Sequence, residues 1–237
     1  MVLPLLLIIA LIVLILYIRE KIRAYSVKAL LLKSAESALF LAVGAYGMWR
    51  AAARGTALLC PFALMGLVCG LMGDIWLDLK YVFPEKDRPF TLAGFSVFGI
   101  GHVFYVAGLL LTWWPAGRPL YVVIPLVLAV LMSVGNILLE KPMKLDFGAL
   151  RPTVAVYGFL LFSTLTVSGS LALAHGWSVL PLDLFFAGAV LFTLSDLVLS
   201  GTYFGVGKER PVDITLNYLT YYGGQFLIAS SLVALAR

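Results

Sequence analysis

Six ionisable side chains lie inside segments of the chain that are otherwise long and apolar. They are Lys33, Glu36, Asp74, Asp78, His102 and Asp196. An ionisable group within the hydrocarbon of a membrane is costly, so each of these residues is a candidate functional residue. Carboxyl groups in a poorly hydrated cavity can divide into one protonated acid and one carboxylate near neutral pH. Such a pair suits acid catalysis through a cationic transition state.

The spacing of these residues predicts which of them act together. Asp74 and Asp78 are four residues apart and therefore share one helix face. Lys33 and Glu36 are three residues apart, a spacing that predicts a structural ion pair between them. Asp78 lies near the end of its segment, so it is either part of a site or extends towards the membrane interface. His102 is either a hydrogen-bonded core histidine or a functional one.

The composition identifies the class of protein. The chain has 237 residues, of which 62% are hydrophobic and 12% charged, with a mean hydropathy of +1.03. A soluble domain is roughly 45–50% apolar and about 25% charged. The composition therefore excludes a soluble globular protein, a disordered chain and a disulfide scaffold. The apolar runs are continuous rather than alternating, which argues against a transmembrane barrel.

Eight apolar segments are each about long enough to cross a bilayer as a helix. They cover residues 2–18, 28–49, 57–79, 90–112, 119–139, 152–174, 180–200 and 214–235. The sequence thus predicts an all-α, polytopic transmembrane helical bundle that forms a single integral membrane domain over residues 1–237. The first segment is followed by a basic flank and not by a cleavage site, so we expect a retained span rather than a signal peptide.

The basic residues predict the orientation of the spans. Twelve of the 17 lysines and arginines fall in the connections that follow odd-numbered spans, and four fall on the opposite side. The positive-inside rule then places both termini on the non-cytoplasmic side. Apart from His102 near mid-depth, the intramembrane charges share the cytoplasmic third, which predicts a water-accessible cavity that opens to the cytoplasm. We expect a multi-pass integral membrane protein, located in the inner membrane if the source is bacterial.

Five short motifs, in order along the chain, resemble those of the lysoplasmalogenase (YhhN-type) family of multispanning membrane proteins. They are Gly73-Asp74 and residues 101–105 (GHVFY), 150–157 (LRPTVAVY), 188–196 (GAVLFTLSD) and 221–225 (YYGGQ). The resemblance implies a membrane hydrolase that cleaves the vinyl ether bond of lysoplasmalogens. The products are a fatty aldehyde and a glycerophospho-ethanolamine or glycerophospho-choline.

This reaction fits the chemistry of paired carboxyl groups. Asp74 and Asp196 are predicted to be the acid and the carboxylate, in an order that the sequence leaves open. His102 is the third catalytic candidate and, with Tyr105, is expected to orient one carboxyl group or the water. Further residues are expected to contact the substrate, with Arg151 holding its phosphate. The substrate-binding candidates are Tyr105, Arg151, Tyr157, Ser195, Tyr221, Tyr222, Gln225 and Asp78.

Other functions for the same polar residues stay open at this point. They are a proton-coupled transporter or channel, a metal-dependent lipid hydrolase that uses Asp74, Asp78, His102 and Asp196, and a lipid-binding protein without catalysis. We expect no cofactor and no resident metal. The expected partners are a lysophospholipid substrate and membrane lipid, and no nucleic acid, because the positive charge is explained by topology. The sequence does not predict an oligomeric state.

Overall fold

A computed structural model describes residues 2–23, 26–53, 58–205 and 210–236. In these ranges the chain forms eight long helices and two short 3₁₀ turns, and no β-strand beyond an isolated bridge between Leu145 and Gly205. The helices are α1 (Val2–Arg23), α2 (Val27–Ala52), α3 (Leu59–Val82), α4 (Asp87–Thr112), α5 (Leu120–Leu138), α6 (Arg151–Ala174), α7 (Leu180–Phe204) and α8 (Pro211–Ala234). Three residues used in the charge count, Arg54, Lys208 and Arg237, lie outside the described ranges, as does residue 57 of the third apolar segment.

Six of the helices form a closed ring, in the order α2, α3, α4, α6, α7, α8 and back to α2. Helix α1 packs outside the ring against α2 and α8, and α5 packs outside it against α6. These two outer helices keep broad apolar faces exposed, as expected of surfaces that face lipid. The ring encloses most of the buried polar residues, so the fold directs those side chains inwards.

The prediction of an all-helical bundle is confirmed. The sequence predicts eight spans, and in the described ranges seven of the eight long helices are long and apolar enough to cross a bilayer. Helix α8 is the exception, although at 24 residues it is as long as α3 and α6. Its polar side chains explain the difference, because Asn217, Tyr221, Tyr222 and Gln225 are all buried in the ring. These buried polar groups lower the mean hydropathy of α8.

Local sequence fixes where the helices of the ring begin. The hydroxyl of Ser26 caps α2 by accepting a hydrogen bond from the backbone N–H of Ala29 at 3.2 Å. A proline occupies the first turn of α6, α7 and α8, where its missing N–H has no cost. At the start of α8 the Asp213 carboxylate accepts hydrogen bonds from the backbone and side chain of Arg210. These signals set the register in which each helix presents its polar residues.

Helices α7 and α8 cross in close contact at a pair of glycines. A Cβ atom added at Gly188 would lie 2.7 Å from the Gly224 carbonyl oxygen and 2.8 Å from Ile228 Cγ1. Contacts this close to backbone cannot be relieved by a side-chain rotation. Small residues therefore allow the approach that brings the polar face of α8 against α7.

Gly188→Ala is expected to lower the free energy of unfolding by about 1–3 kcal/mol, because α7 and α8 must separate to admit the methyl group. The measurement is an unfolding titration of the purified protein in detergent micelles. Gly135→Ala on α5 is the matched control, since nothing lies within 4 Å of its added Cβ. That variant should be as stable as the parent or slightly more so. Equal stability of the two variants would contradict the close packing.

Candidate active site

A network of two buried lysines and two buried carboxylates joins α1, α2 and α3. Lys33 Nζ lies 3.2 Å from Asp74 Oδ1 and 3.2 Å from Asp78 Oδ1. Lys21 Nζ donates to both oxygens of Asp78 at 3.1 Å, and the Tyr17 hydroxyl donates to Asp78 Oδ2 at 3.4 Å. Each charge is thus paired with an opposite one, which offsets the cost of removing it from water.

The predicted ion pair between Lys33 and Glu36 is wrong. Lys33 extends towards the two carboxylates of α3, and neither carboxylate oxygen of the buried Glu36 has a hydrogen-bond partner among the described residues. Two carboxylates four residues apart on α3 attract the ammonium more strongly than the single one on its own helix. Asp78 does not extend to the interface either, since it is buried between Lys21 and Lys33.

Sequence reasoning missed the contribution of α1. The charge pattern predicts that Lys21 lies in the basic connection after the first span, yet it belongs to α1 and is 3% exposed. The signal available in the sequence is its spacing, because Tyr17 and Lys21 are four residues apart and therefore share one helix face. Both side chains reach Asp78 from that face.

A chain of donors leads from α4 through α8 to Asp74. The Ser37 and Tyr221 hydroxyls donate to Asp74 Oδ2 at 2.6 and 2.7 Å. Gln225 Nε2 donates to the Tyr221 hydroxyl at 3.2 Å, and the Tyr105 hydroxyl donates to Gln225 Oε1 at 3.2 Å. Donors that converge on a carboxylate stabilise its ionised form. Three of the predicted substrate-binding residues, Tyr105, Tyr221 and Gln225, thus join one network that ends at Asp74.

Tyr222 lies beside this network and holds α8 to α2. Its hydroxyl donates to the Lys33 carbonyl oxygen at 3.2 Å and lies 3.3 Å from Ser37 Oγ. Its ring packs edge-on against Tyr221 with centroids 4.8 Å apart. These contacts fix the helix that carries Tyr221.

Asp196 on α7 faces the same cavity as Asp74. The Tyr157 hydroxyl of α6 donates to Asp196 Oδ2. Asp74 and Asp196 both line a cavity of about 20 Å³, which is room for about one water molecule. The aromatic rings of Phe95 and Phe98 form another part of its wall. We call this space the acid cavity.

Asp74 and Asp196 differ in their surroundings. Asp74 has Lys33 and two hydroxyl donors, whereas no lysine, arginine or histidine in the described ranges forms an ion pair with Asp196. A carboxyl group removed from water without a cation prefers its neutral form. One cavity therefore contains two carboxyl groups with unlike surroundings, one paired with a cation and one without a cationic partner among the described residues.

His102 lies deeper in the bundle and touches neither carboxyl group. Its Nδ1 atom is 3.0 Å from Thr164 Oγ1, and its ring packs edge-on against Tyr157 and Phe192. Its Nε2 atom has no partner in the part of the chain that the structure describes. Gly101, which precedes His102 on α4, lies against Cys69 of α3. Cys69 is five residues before Asp74, which is about 7–8 Å along the helix. The ring of His102 contacts Tyr157, and the Tyr157 hydroxyl in turn donates to Asp196.

A family model, described as the YhhN family, matches residues 29–232 of the chain. The chain belongs to the YhhN family. The resemblance drawn from the five motifs is thereby confirmed. The match begins in α2 and ends in α8, so it includes all six helices of the ring and α5, and it leaves out α1 with Tyr17 and Lys21. Searches of curated proteins and of solved structures gave no match.

In this YhhN protein, two residues predicted to contact the substrate, Arg151 and Ser195, form bonds with other side chains of the chain. Arg151 NH2 pairs with Glu140 Oε2 at 2.7 Å, and the arginine side chain is 52% exposed. Ser195 accepts hydrogen bonds from Asn217 Nδ2 at its hydroxyl (3.0 Å) and its carbonyl oxygen (2.8 Å). Ser195 still contributes to the wall of the acid cavity, whereas Arg151 does not.

No three histidine, cysteine, aspartate or glutamate side chains come together as a possible metal site within residues 2–23, 26–53, 58–205 and 210–236. Of the four ligands considered for a mixed metal site, Asp74 and Asp78 share Lys33, Asp196 lies across the cavity, and His102 lies deeper. The donors of the site are thus spread over separate positions rather than gathered around one point.

Proposed function

We propose that this protein hydrolyses the vinyl ether bond of lysoplasmalogens to a fatty aldehyde and a glycerophospho-ethanolamine or glycerophospho-choline. Membership of the YhhN family suggests a function of the lysoplasmalogenase type. The observation that carries the specific reaction is the acid cavity, where Asp74 and Asp196 come from separate helices and have unlike neighbours. Protonation of an enol ether requires an acid, and a carboxylate in the same cavity can stabilise the cation that forms.

In this proposal Asp196 is the acid and Asp74 the carboxylate. Asp196 carries a proton because its side chain is largely withdrawn from water, at intermediate exposure, and no cation of the described residues pairs with it. Tyr157 donates to Oδ2 of Asp196 and so leaves the proton on Oδ1. Asp74 stays ionised because Lys33, Ser37 and Tyr221 all point donors at it.

The reaction begins when Asp196 transfers its proton to carbon 2 of the alkenyl chain. The double bond becomes a single bond, and the positive charge is shared by carbon 1 and the ether oxygen. The Asp74 carboxylate stabilises that cation. A water molecule in the cavity bonds to carbon 1 and returns a proton to Asp196. The resulting hemiacetal then breaks its bond between carbon 1 and the glycerol oxygen, which takes the hydroxyl proton as the aldehyde leaves.

An apolar groove between α4 and α6 suits the single chain of a lysolipid. The groove has a volume of about 400 Å³, within the range of small-molecule pockets. Phe95 and Tyr157 are stacked, with centroids 5.3 Å apart, and they belong to the walls of both the groove and the acid cavity. We propose that this ring pair separates to admit the vinyl ether while the alkyl tail stays in the groove.

The orientation of the protein in the membrane is part of the same proposal. The site residues of α2, α3, α7 and α8 lie near one end of the ring, since the start of α2 and the end of α3 meet at Lys33 and Asp74. The distribution of lysine and arginine supports a cytoplasmic location of that end. With α8 as an eighth span, both termini lie on the non-cytoplasmic side.

Val156→Trp is expected to raise the KM for a lysoplasmalogen about fivefold, because the indole fills the groove and removes roughly 1 kcal/mol of chain binding. Val156 is 63% exposed and is part of the groove wall. The matched control is Leu131→Trp on α5, where the parent side chain is 60% exposed and lies outside the groove. That variant should keep the wild-type KM. An unchanged KM in Val156→Trp would reject the groove as the chain site.

The direct test of the function is mass spectrometry of lysolipids incubated with the purified protein in detergent micelles. A 1-alkenyl lysolipid should yield one aldehyde and one glycerophospho-base, and its 1-alkyl counterpart should stay intact. Activity lost with a chelator and recovered with added metal would replace the acid mechanism with a metal-dependent one. Binding of the alkenyl lipid without product, or ion flux into liposomes without product, would reject hydrolysis in favour of a lipid-binding protein or a transporter.

A further inference from the structure

A second polar pocket opens at the end of the ring that holds the acid cavity. It has a volume of about 270 Å³ and lies where α3 and α4 meet the segment before α6. Its wall contains two cations and two carboxylates, which are Lys80, Arg88, Asp87 and Asp146. We call it the headgroup pocket. A pocket with both signs of charge suits a zwitterion better than a simple anion.

Two of these four charges are already paired and two are not. Lys80 Nζ lies 3.5 Å from Asp87 Oδ1 and 3.5 Å from the centre of the Tyr203 ring. Arg88 and Asp146 form no ion pair with any residue in the described ranges. Asp146 Oδ1 accepts a hydrogen bond from the backbone N–H of Gly148 at 3.0 Å, which fixes the carboxylate in place. Arg88 and Asp146 are therefore available to a ligand without loss of an ion pair, whereas Lys80 would exchange the exposed Asp87 for the ligand.

The headgroup pocket and the acid cavity share one wall residue. Tyr203 belongs to the walls of both spaces. Lys80 follows Asp74 by six residues, which is about 9 Å along α3. In a lysoplasmalogen six bonds separate the phosphorus from carbon 1 of the alkenyl chain. Six bonds of an extended polypeptide span about 7 Å, and we take the same length for the extended lipid. A lipid with its phosphate beside Lys80 can therefore present its vinyl ether to Asp74.

We propose that the headgroup pocket binds the zwitterionic phosphocholine or phosphoethanolamine headgroup of the lysolipid. Lys80 and Arg88 bind the phosphate, and Asp146 binds the ammonium group. Arg151, the residue expected from the sequence to hold the phosphate, is paired with Glu140 instead. The inference rests on the proposed function, because the headgroup and the scissile bond must belong to one molecule.

The test measures the binding of lipids that cannot be cleaved. The probes are 1-O-hexadecyl-glycerophosphocholine and 1-O-hexadecyl-glycerol, titrated into the full-length protein in maltoside micelles. Arg88→Gln should weaken binding of the phosphocholine lipid about fivefold and leave the alkylglycerol unchanged, since an exposed charge pair contributes about 1 kcal/mol. Lys86→Gln, two residues away, exposed and outside the pocket, is the control and should bind both lipids as the parent does.

Two further variants complete the test. Lys80→Gln should also weaken binding of the phosphocholine lipid and leave binding of the alkylglycerol unchanged. Asp146→Asn should weaken binding of the phosphocholine lipid but not of 1-O-hexadecyl-glycerophosphate, which has no ammonium group. The proposal is overturned if Arg88→Gln and Lys80→Gln bind the phosphocholine lipid as the parent does, and the ammonium assignment is overturned if Asp146→Asn affects both phospholipids equally. A parent protein that binds selectively yet releases no aldehyde would reject the proposed hydrolysis and keep the pocket.

Discussion

Asp196→Asn is expected to lower aldehyde release from a lysoplasmalogen by about 10²–10⁴-fold, the usual contribution of a general acid. The amide has nearly the shape of the carboxyl group, and its oxygen can still accept the hydrogen bond from Tyr157. It has no acidic proton to give to carbon 2. The variant should therefore fold and bind lipid as the parent does, while turnover is lost.

The control for this variant is Asp183→Asn on the same helix. Asp183 lies in the first turn of α7, at the end of the helix away from Asp196, and it belongs to neither the acid cavity nor the headgroup pocket. Both variants are compared by initial rates of aldehyde release and by the titration of the non-cleavable phosphocholine lipid. Asp183→Asn should keep the parent rate. An Asp196→Asn protein with more than half of the parent rate would remove Asp196 from the role of acid.

Lys33→Met is expected to cause the largest loss of stability, about 3–5 kcal/mol, which is typical when one partner of a buried ion pair is removed. Lys33 contacts both Asp74 and Asp78 at 3.2 Å. Methionine keeps the apolar stem but leaves two buried carboxylates with one remaining cation, Lys21. The expected change is a lower midpoint in an unfolding titration of the purified protein in micelles.

The double variant Lys33→Met/Asp74→Asn separates charge balance from catalysis. It keeps Lys21 paired with Asp78 at 3.1 Å and leaves no unmatched charge in the network. It should be more stable than Lys33→Met alone, yet inactive, because the carboxylate that stabilises the cation is gone. A double variant no more stable than the single one would show that Lys33 does not act by neutralising Asp74. A double variant with parental turnover would reject the role of Asp74.

The fold followed from the sequence because long apolar runs leave few alternatives to helices. The part that composition could not predict is the closure of the ring. Apolar runs place helices in the membrane, but they do not say that α8 returns to pack against α2. The polar face of α8 illustrates the limit, since Tyr221 and Gln225 make that helix less apolar while their partners lie on α3 and α4.

The residues of the site could be selected from the sequence, but their pairings could not. Asp74 and Asp196 stand out because an ionisable group in an apolar segment has few structural explanations. The sequence predicts a pair between Lys33 and its neighbour Glu36 because sequence proximity is visible and contacts between helices are not. The role of Lys21 is hidden for the same reason, since a lysine at the end of a span usually faces lipid headgroups. Only the packing of α1 against the ring reveals that it binds Asp78.

In the proposed reaction a carboxylic acid of the protein protonates carbon 2 of the vinyl ether. The isotope content of the aldehyde formed in ²H₂O reports this step. We expect one deuterium at carbon 2 of the released aldehyde, and none above background when the finished aldehyde is incubated with the Asp196→Asn protein. Aldehyde released by the parent protein without deuterium at carbon 2 would rule out protonation at that carbon.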